Sequence, residues 1–524
     1  MGRSDGAKTP ATDRGRLEAS LRKGRFPGGQ HLARRRLAGS WRPGEFRARR
    51  VRTELGREGR PARGWHTVGA RGENVARFRY RRRLQGQVRA FPLLAGVLLS
   101  SCGGERLTDW DGDPPPSILF ISVDTLRADA LGMYGYKKPT SPELDAFAKT
   151  ATVFEQTMSA ASWTLPSFAS LFTSYFSSTH KCWKPVSKLD ESFETLAEIL
   201  LRNGYDTACY VSHPMLTSSN GMQQGFVHFD DSYSDPDADF AARISSQEIS
   251  DRGIRFMQQK ARVADGVPWF LWLHYFDPHS HYMPHEGITD VFIEQPGKQR
   301  PLLRGTYDGE IKYTDIHLGR IFKELEELGL ADDTIVVFVS DHGEEFFEHG
   351  NVEHGSSLFN ELVRVPLIIR VPGEEERRIP EVVRTVDVMP TLLDLVGIPV
   401  VFEIGGRSLR RLIQGEHLSL PPALMEIQQT KETIMKGIVR GRWKLVHNGS
   451  AGGTLSLYDL EADPLEKSDV SDQNPAVVAE LKRALEKMVE EAVAHGTKYD
   501  KASDQDMSPA ELEVLQGLGY LLDD

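Results

Sequence analysis

Three short apolar runs each end on groups that can hold a cation or move a proton. Ser117–Val123 (SILFISV) is followed by Asp124, Thr334–Ser340 (TIVVFVS) by Asp341 and His342, and Trp269–His274 (WFLWLH) by Tyr275, Phe276 and Asp277. A single Asp after a strand is ordinarily a turn or a helix cap. Three of them, two with imidazoles adjacent, point to a shared purpose. In open α/β sheets ligands sit beyond the carboxyl ends of the strands, so side chains arriving there converge. The histidines repeat the pattern. His274, His279, His281 and His285 fall in one window of 12 residues, and His342, His349 and His354 in one of 13, so these two stretches hold seven of the chain's 16. Neutral imidazole with carboxylate suits Zn and, with more oxygen, Mn, Ca or Mg. Asp277 and His281 can reach one ion across a tight loop; a solvated polar loop is the alternative.

A hydroxyl completes the set. In Trp163-Thr164-Leu165-Pro166-Ser167-Phe168, Pro166 suits a first helical turn, where its missing N–H costs nothing. Thr164 then stands at or just before a helix N-terminus, where unpaired N–H groups favour an anion. Alone it reads as an N-cap. Beside a metal it becomes a candidate nucleophile, because a cation lowers a hydroxyl's pKa.

The elements that would carry these residues alternate. Strand-like runs at Ser117–Val123, Ala208–Ser212, Trp269–His274, Thr334–Ser340 and Pro366–Val371 are separated by helix-like segments at Pro142–Thr150, with Ser141 as N-cap, at Gln247–Arg262 and at Ile311–Leu328. This predicts an α/β fold, a large, mixed, mostly parallel sheet between helices, over residues 116–405. From about Gly406 short strands at Ile434–Arg440, Trp443–His447 and Leu455–Asp459 precede an amphipathic helix, Pro475–Ala494. Residues 406–495 therefore read as a smaller α+β subdomain with an antiparallel sheet, and 496–524 as a tail.

Charge divides the chain. Residues 1–90 hold 25 Lys and Arg against 7 Asp and Glu, whereas the remaining 434 carry a net −28. An acidic body repels phosphate backbones, which excludes nucleic acid as its partner. Residues 1–87 are rich in Arg, Gly and Pro and bury too little apolar surface to fold. They are either a basic arm for nucleic acid or anionic lipid or, as we favour, a disordered leader outside the native protein. Residues 88–102 fit a secretory signal: a basic start, a short apolar stretch from Phe91 to Leu99, then Leu99-Ser100-Ser101-Cys102. The stretch is too short to span a bilayer, which takes roughly 20 residues. It resembles a bacterial lipobox, with lipidation at Cys102 and a native start near Val75 or Val88. That predicts an exported lipoprotein of the bacterial cell envelope, held to the membrane by its lipid anchor only. Cys182 and Cys209 remain, either paired or both free.

Longer motifs carry a resemblance. ILFISVDTLRADALGMYGY, SWTLPSFASLFTS, FVSDHGEEFFEHGNVEHGSSLFNELVRVPLII, VDVMPTLLDLVGIP, RGRWKLVH and LYDLEADPLEKSDV, in this order between about Pro116 and Val470, resemble the sulfatase family of the alkaline phosphatase superfamily. The resemblance implies that Asp124, Asp341 and His342 bind a divalent metal, that Thr164 takes the nucleophile position, and that His279 contacts the sulfuryl or phosphoryl oxygens. Sulfatases carry Cys or Ser there, matured to formylglycine, in a Cys/Ser-x-Pro-x-Arg context. Here Thr164 and Phe168 depart from it, and Thr resembles the phosphodiesterase and phosphoethanolamine-transferase branches instead. His354 and His281 replace a usual Lys and Pro. With Asp277 they would make a second metal site, giving one or two ions per chain.

The expected reaction is hydrolysis of a sulfate or phosphate ester through a covalent Thr164 intermediate, with either a second ion at Asp277, His281 and His354 or His279 as acid stabilising the leaving oxygen. Arg127 either screens anionic charge on the substrate or makes a surface salt bridge. A phosphoryl transferase or phosphodiesterase acting on envelope glycans or lipids is the second reading, and a non-catalytic binding protein on the same scaffold the third.

Overall fold

The computed structural model describes residues 114–232, 246–295, 298–428, 434–449 and 453–499, with positions 503, 504, 509, 512, 515 and 516 beyond them. The basic leader, the signal-like segment with Cys102 and most of the tail lie outside the described residues.

In chain order the strands are β1 (Ser117–Val123), β2 (Thr152–Met158), β3 (Asp206–Tyr210), β4 (His228–Asp230), β5 (Trp269–Tyr275), β6 (Thr334–Ser340), β7 (Glu345–Phe346), β8 (Val352–Glu353), β9 (Arg364–Arg370), β10 (Arg377–Arg384), β11 (Ala423–Gln428), β12 (Ile434–Arg440), β13 (Trp443–Asn448) and β14 (Thr454–Asp459). The helices are α1 (Pro142–Phe147), α2 (Thr164–Thr173), α3 (Ser177–His180), α4 (Leu196–Arg202), α5 (Ser246–Val263), α6 (Gln299–Glu327), α7 (Asn360–Val363), α8 (Val388–Leu395), α9 (Arg410–Ile413) and α10 (Pro475–Gly496).

Eight strands form the main sheet in the order β10-β2-β9-β6-β1-β5-β3-β4. Only β9 runs antiparallel to its neighbours, β2 and β6. The central strands are apolar throughout because both their faces are covered. In β1, Ile118 and Phe120 enter one core with Leu165 and Phe168 of α2, while Leu119, Ile121 and Val123 enter the other with Ile311 and Leu318 of α6. The parallel register sets Val123 level with both Tyr275 and Ser340. The residues that follow β1, β5 and β6 therefore leave the sheet side by side.

The second sheet, β11-β12-β13-β14, is antiparallel. One face (Met425, Val439, Val446) joins the core shared with α2 and α8; the other (Leu424, Ile438, Leu457) packs under Leu481 and Leu485 of α10. No helix of the described residues is long and apolar enough to cross a membrane.

Several elements differ from the sequence expectation. Helix α6 begins at Gln299 rather than Ile311, because its first turns bury polar groups (Thr306, Asp308, Glu310) that leave no apolar period. Strand β10, with Pro380 inside it, was not foreseen. It lies at the sheet edge, and its register with β2 shifts between Ile379 and Val382, which accommodates a residue without an N–H. Ser141 stands at the α1 N-cap position without capping it; its hydroxyl donates to Asp145 Oδ1 (3.1 Å) and accepts the Gly132 N–H. Cys182 and Cys209 are buried and unpaired. α9 packs with α8 in the main core.

Candidate functional site

Three adjacent strands, β6, β1 and β5, deliver the site. Asp124 follows β1, and its backbone N–H donates to Tyr275 O of β5 (3.0 Å). Asp341 and His342 follow β6. Asp341 Oδ1 accepts the backbone N–H groups of His342 (2.9 Å) and Thr125 (3.3 Å), so its other oxygen, Oδ2, is turned inward. Thr125 takes the left-handed conformation (φ 51°) that this approach requires, a cost typical of functional turns. His342 donates Nδ1–H to Gly343 O (2.9 Å), leaving the Nε2 lone pair facing the carboxylates. Its Nε2 lies 3.3 Å from Asp341 Oδ2 and 3.6 Å from Asp124 Oδ1.

Thr164 is the first residue of α2, fully buried, and its Oγ1 lies 3.2 Å from His342 Nε2. The extended Trp163 (ψ 163°) turns the chain into the helix at that point.

The electrostatics ask for a cation. Asp124 Oδ1, Asp124 Oδ2 and Asp341 Oδ2 are buried without a hydrogen-bond partner. Burial, then the repulsion of Asp341 and Glu344, holds the Asp124 carboxyl well above its usual range; burial also raises Asp341. Burial lowers His342 to about 4, so its ring is neutral, as a metal ligand must be. Ligand atoms of Asp124, Asp341 and His342 all lie within 4.8 Å of one another. Two carboxylates, one imidazole and an adjacent hydroxyl fit a divalent ion of the Ca, Mg, Mn or Zn kind.

Around this set stand further imidazoles. The ring centroids of His354 lie 4.5 Å from His342 and 4.8 Å from His279, and His279 lies 5.4 Å from His213. His279 keeps Nδ1 against Ser280 O (2.5 Å). Glu344, pushed up to about 8 by burial, is partner to His354 Nδ1 (3.0 Å).

Asp277, His281 and His354 are not among the groups of described residues whose ligand atoms all lie within 4.8 Å of one another. Asp277 Oδ2 accepts the backbone N–H (3.1 Å) and hydroxyl (2.5 Å) of Ser246 in α5, His281 is exposed, and His354 is held by Glu344. Spacing alone does not reveal which way a carboxylate turns. Arg127 is neither a surface group nor aimed at the site. It is buried, with Nε and Nη2 on Asp129 (2.8 and 2.7 Å) and Nη1 on Glu344 O and Glu348 (both 2.9 Å). It braces the turn after His342.

His213, Glu344 and the strand residue His274 were not foreseen as parts of the site. His213 follows β3 by three residues, so the strand-end rule that found Asp124 would have found it too.

Comparison with known proteins places the chain in a family. Residues 116–398 match the sulfatase family, and residues 348–492 match the region described as N-sulphoglucosamine sulphohydrolase, C-terminal. An ulvan-active sulfatase of Formosa agariphila is 26% identical over 367 residues, covering 62% of this chain and 71% of that protein. Arylsulfatase K of Rattus norvegicus is 29% identical over 248 residues, covering 45% of this chain and 43% of that one. The chain thus spans less than half of the latter. Among solved structures, the phosphonate monoester hydrolase of Agrobacterium radiobacter superposes with a TM-score of 0.63 at 21% identity, over 72% of this chain and 96% of that one. The likeness confirms the large sheet flanked by helices.

Proposed function

The chain belongs to the sulfatase family, enzymes of the sulfuric-ester-hydrolase kind, and on that premise we propose that it hydrolyses a sulfate or phosphate ester with Thr164 as nucleophile. The observation that supports this reading is the Thr164 hydroxyl, buried 3.2 Å from His342 Nε2 and beside carboxylate oxygens that lack partners. Asp124, Asp341 and His342 would hold a divalent cation. When bound, it supplies the positive charge that these carboxylates lack and lowers the pKa of a hydroxyl beside it.

The chain's own residues do the rest. The α2 backbone fixes Thr164 Oγ1 at the helix start, where it attacks sulfur or phosphorus in line. The bond to the alcohol oxygen breaks, and a covalent Thr ester remains. His279 is neutral, its pKa held well below the ordinary range by burial and then by His354. Its Nδ1 is committed to Ser280 O, so its Nε2 lone pair is the atom that takes up the proton lost by the Thr164 hydroxyl and passes it to the leaving oxygen. Water then cleaves the Thr ester and releases sulfate or phosphate. Thr in place of a formylglycine precursor favours the phosphate branch over the sulfate branch. Export as a lipoprotein through Cys102 remains part of this proposal.

Parallel assays on an aryl sulfate, a phosphate monoester and a phosphate diester, with cations added back, identify the ester. Thr164→Ala is expected to reduce turnover at least about a thousandfold while cation binding persists. Enzyme quenched during turnover should carry a sulfuryl or phosphoryl group on the peptide containing Thr164. Retained activity in Thr164→Ala refutes the assignment.

A further inference from the structure

Two features stand outside the reaction just described. The first half of α6 buries polar side chains (Asp308, Glu310, Thr314) where a long covering helix ordinarily buries apolar ones. Asp277, two residues before His279, spends its carboxylate on Ser246. Both features meet at the segment from Asp277 to Thr289, which leaves β5 and runs without helix or strand up to Thr289. Such a segment wanders unless something fastens it, and this one carries His279.

Helix α6 fastens it at four places. Thr314 Oγ1 donates to Asp277 O (3.3 Å), and Glu310 Oε1 accepts the Met283 N–H (2.6 Å). The Tyr313 ring stacks on that of His285, with centroids 3.8 Å apart and 8° between the planes. Gly309 lies so close to Thr289 that a Cβ there would fall 2.5 Å from Thr289 Oγ1. Glu310 and Thr314 are four residues apart, as are Gly309 and Tyr313, so each pair leaves one face of the helix. Helix α5 completes the grip. Its first residue, Ser246, gives its N–H (3.1 Å) and hydroxyl (2.5 Å) to Asp277 Oδ2. Ser246, Asp277, Glu310 and Thr314 are all buried, so a partner removed by mutation is not readily replaced by water.

His279 sits between these bonds. Its N–H closes on Phe276 O (2.9 Å) and its ring stacks on Phe276, at 4.6 Å between centroids. The chain is anchored to α5 and α6 two residues before it and to α6 four residues after it.

We propose that Ser246, Asp277, Glu310 and Thr314 are positioning residues that hold the Asp277–Thr289 segment against α5 and α6 and thereby place His279 Nε2 for proton transfer. The polar face of α6 is the seat of this segment. The inference rests on the proton-carrying role of His279 proposed above.

The test uses the full chain with divalent cation present and two esters of one acid, phosphate or sulfate as the parallel assays identify it: the methyl and the p-nitrophenyl ester. p-Nitrophenolate leaves without a proton, whereas the methyl alcohol oxygen needs one. A misplacement of about 1 Å costs on the order of a hundredfold. Glu310→Ala should therefore lower kcat about 10–100-fold more on the methyl ester than on the p-nitrophenyl ester. Glu310→Gln, which keeps an accepting oxygen, should restore the ratio. Ser246→Ala and Thr314→Val, which each remove one hydroxyl, should move the ratio in the same direction and serve should Glu310→Ala not fold. Hydrogen exchange in the peptide spanning 277–289 should quicken in these three variants and not in Glu310→Gln. His279→Ala is the reference for complete loss. If His279→Ala separates the two esters while the three variants lower both equally or leave exchange unchanged, the proposal is overturned. If His279→Ala affects both esters equally, or no ester is cleaved, the proton-carrying role is refuted instead; exchange then decides by itself whether α5 and α6 hold the segment.

Discussion

Removing divalent cations should make this fold less stable as the pH rises, and Asp341→Asn should reverse that. Without a cation, Asp124 and Asp341 share a buried site with no opposite charge, and both carboxyls are raised, first by burial. A carboxyl raised in the folded state contributes fully below its unfolded pKa of about 3.9, and that contribution is lost as the pH climbs through the folded value. The metal-free protein therefore loses stability from about pH 4 toward neutrality on account of this pair. A cation at 100 times its Kd returns about 2.7 kcal/mol, and at 1,000 times about 4.1 kcal/mol. At about 2 °C per kcal/mol for a large domain, that is a rise in Tm of about 5–8 °C. In Asp341→Asn the amide nitrogen replaces one carboxylate oxygen. Oδ1 can still accept from His342 and Thr125, while the nitrogen takes the place of Oδ2, which has no partner. Scanning calorimetry at pH 8 should show the variant melting above metal-free wild type and ignoring added cation. Equal melting of metal-free and cation-loaded wild type, or a variant melting below the metal-free protein, would refute the reasoning.

Other perturbations reach different parts of the molecule. Lys444 and Glu466 form a fully buried ion pair (2.8 Å), so Lys444→Met strands a charge and should cost about 3–5 kcal/mol in urea denaturation; adding Glu466→Gln should recover much of it. Burial lowers His274 to about 3, and His342, His354 and His317 to about 4. A lowered His contributes fully above its unfolded pKa of about 6.5 and loses that as the pH falls toward the folded value, at up to about 1.4 kcal/mol per pH unit each. Metal-free protein should accordingly unfold cooperatively in the pH range from about 6 to 4, followed by circular dichroism. Cys182 and Cys209 are buried and their thiols are raised, first by burial. Neither should be alkylated in native protein at pH 8, and both should be once it is unfolded, as read by peptide mass.

Much of this was legible in the chain because the central strands are buried on both faces. β1, β5 and β6 are uninterrupted apolar runs, and the polar residue ending each one marks the sheet's carboxyl edge. Asp124, Asp341 and His342 came out of that logic, Thr164 out of its place at a helix start, and the four stand together. The edges were harder to read. β10 carries Arg377, Arg378 and Pro380 where one side of it meets solvent, and a buried Arg384 held by Asp387. The first half of α6 packs through polar groups, so no hydrophobic period announces it. The second metal set is harder to read for a different reason. Asp277 and His281 have a suitable separation, but the partner that captures Asp277 is Ser246, 31 residues away, and local spacing does not encode such a contact.

The smaller sheet is tied to the main one by more than apolar contact. Glu466 O is the acceptor for His349 Nε2, and its carboxylate accepts the Asn360 N–H. Glu426 of β11 accepts the backbone N–H and hydroxyl of Ser178 and donates its own N–H to Ala160 O, four residues before Thr164. A polypeptide shortened to residues 116–405 would leave these donors and acceptors stranded and bare one flank of the interior. The C-terminal portion is thus a keystone and not a detachable accessory: a change there would be felt at the start of α2.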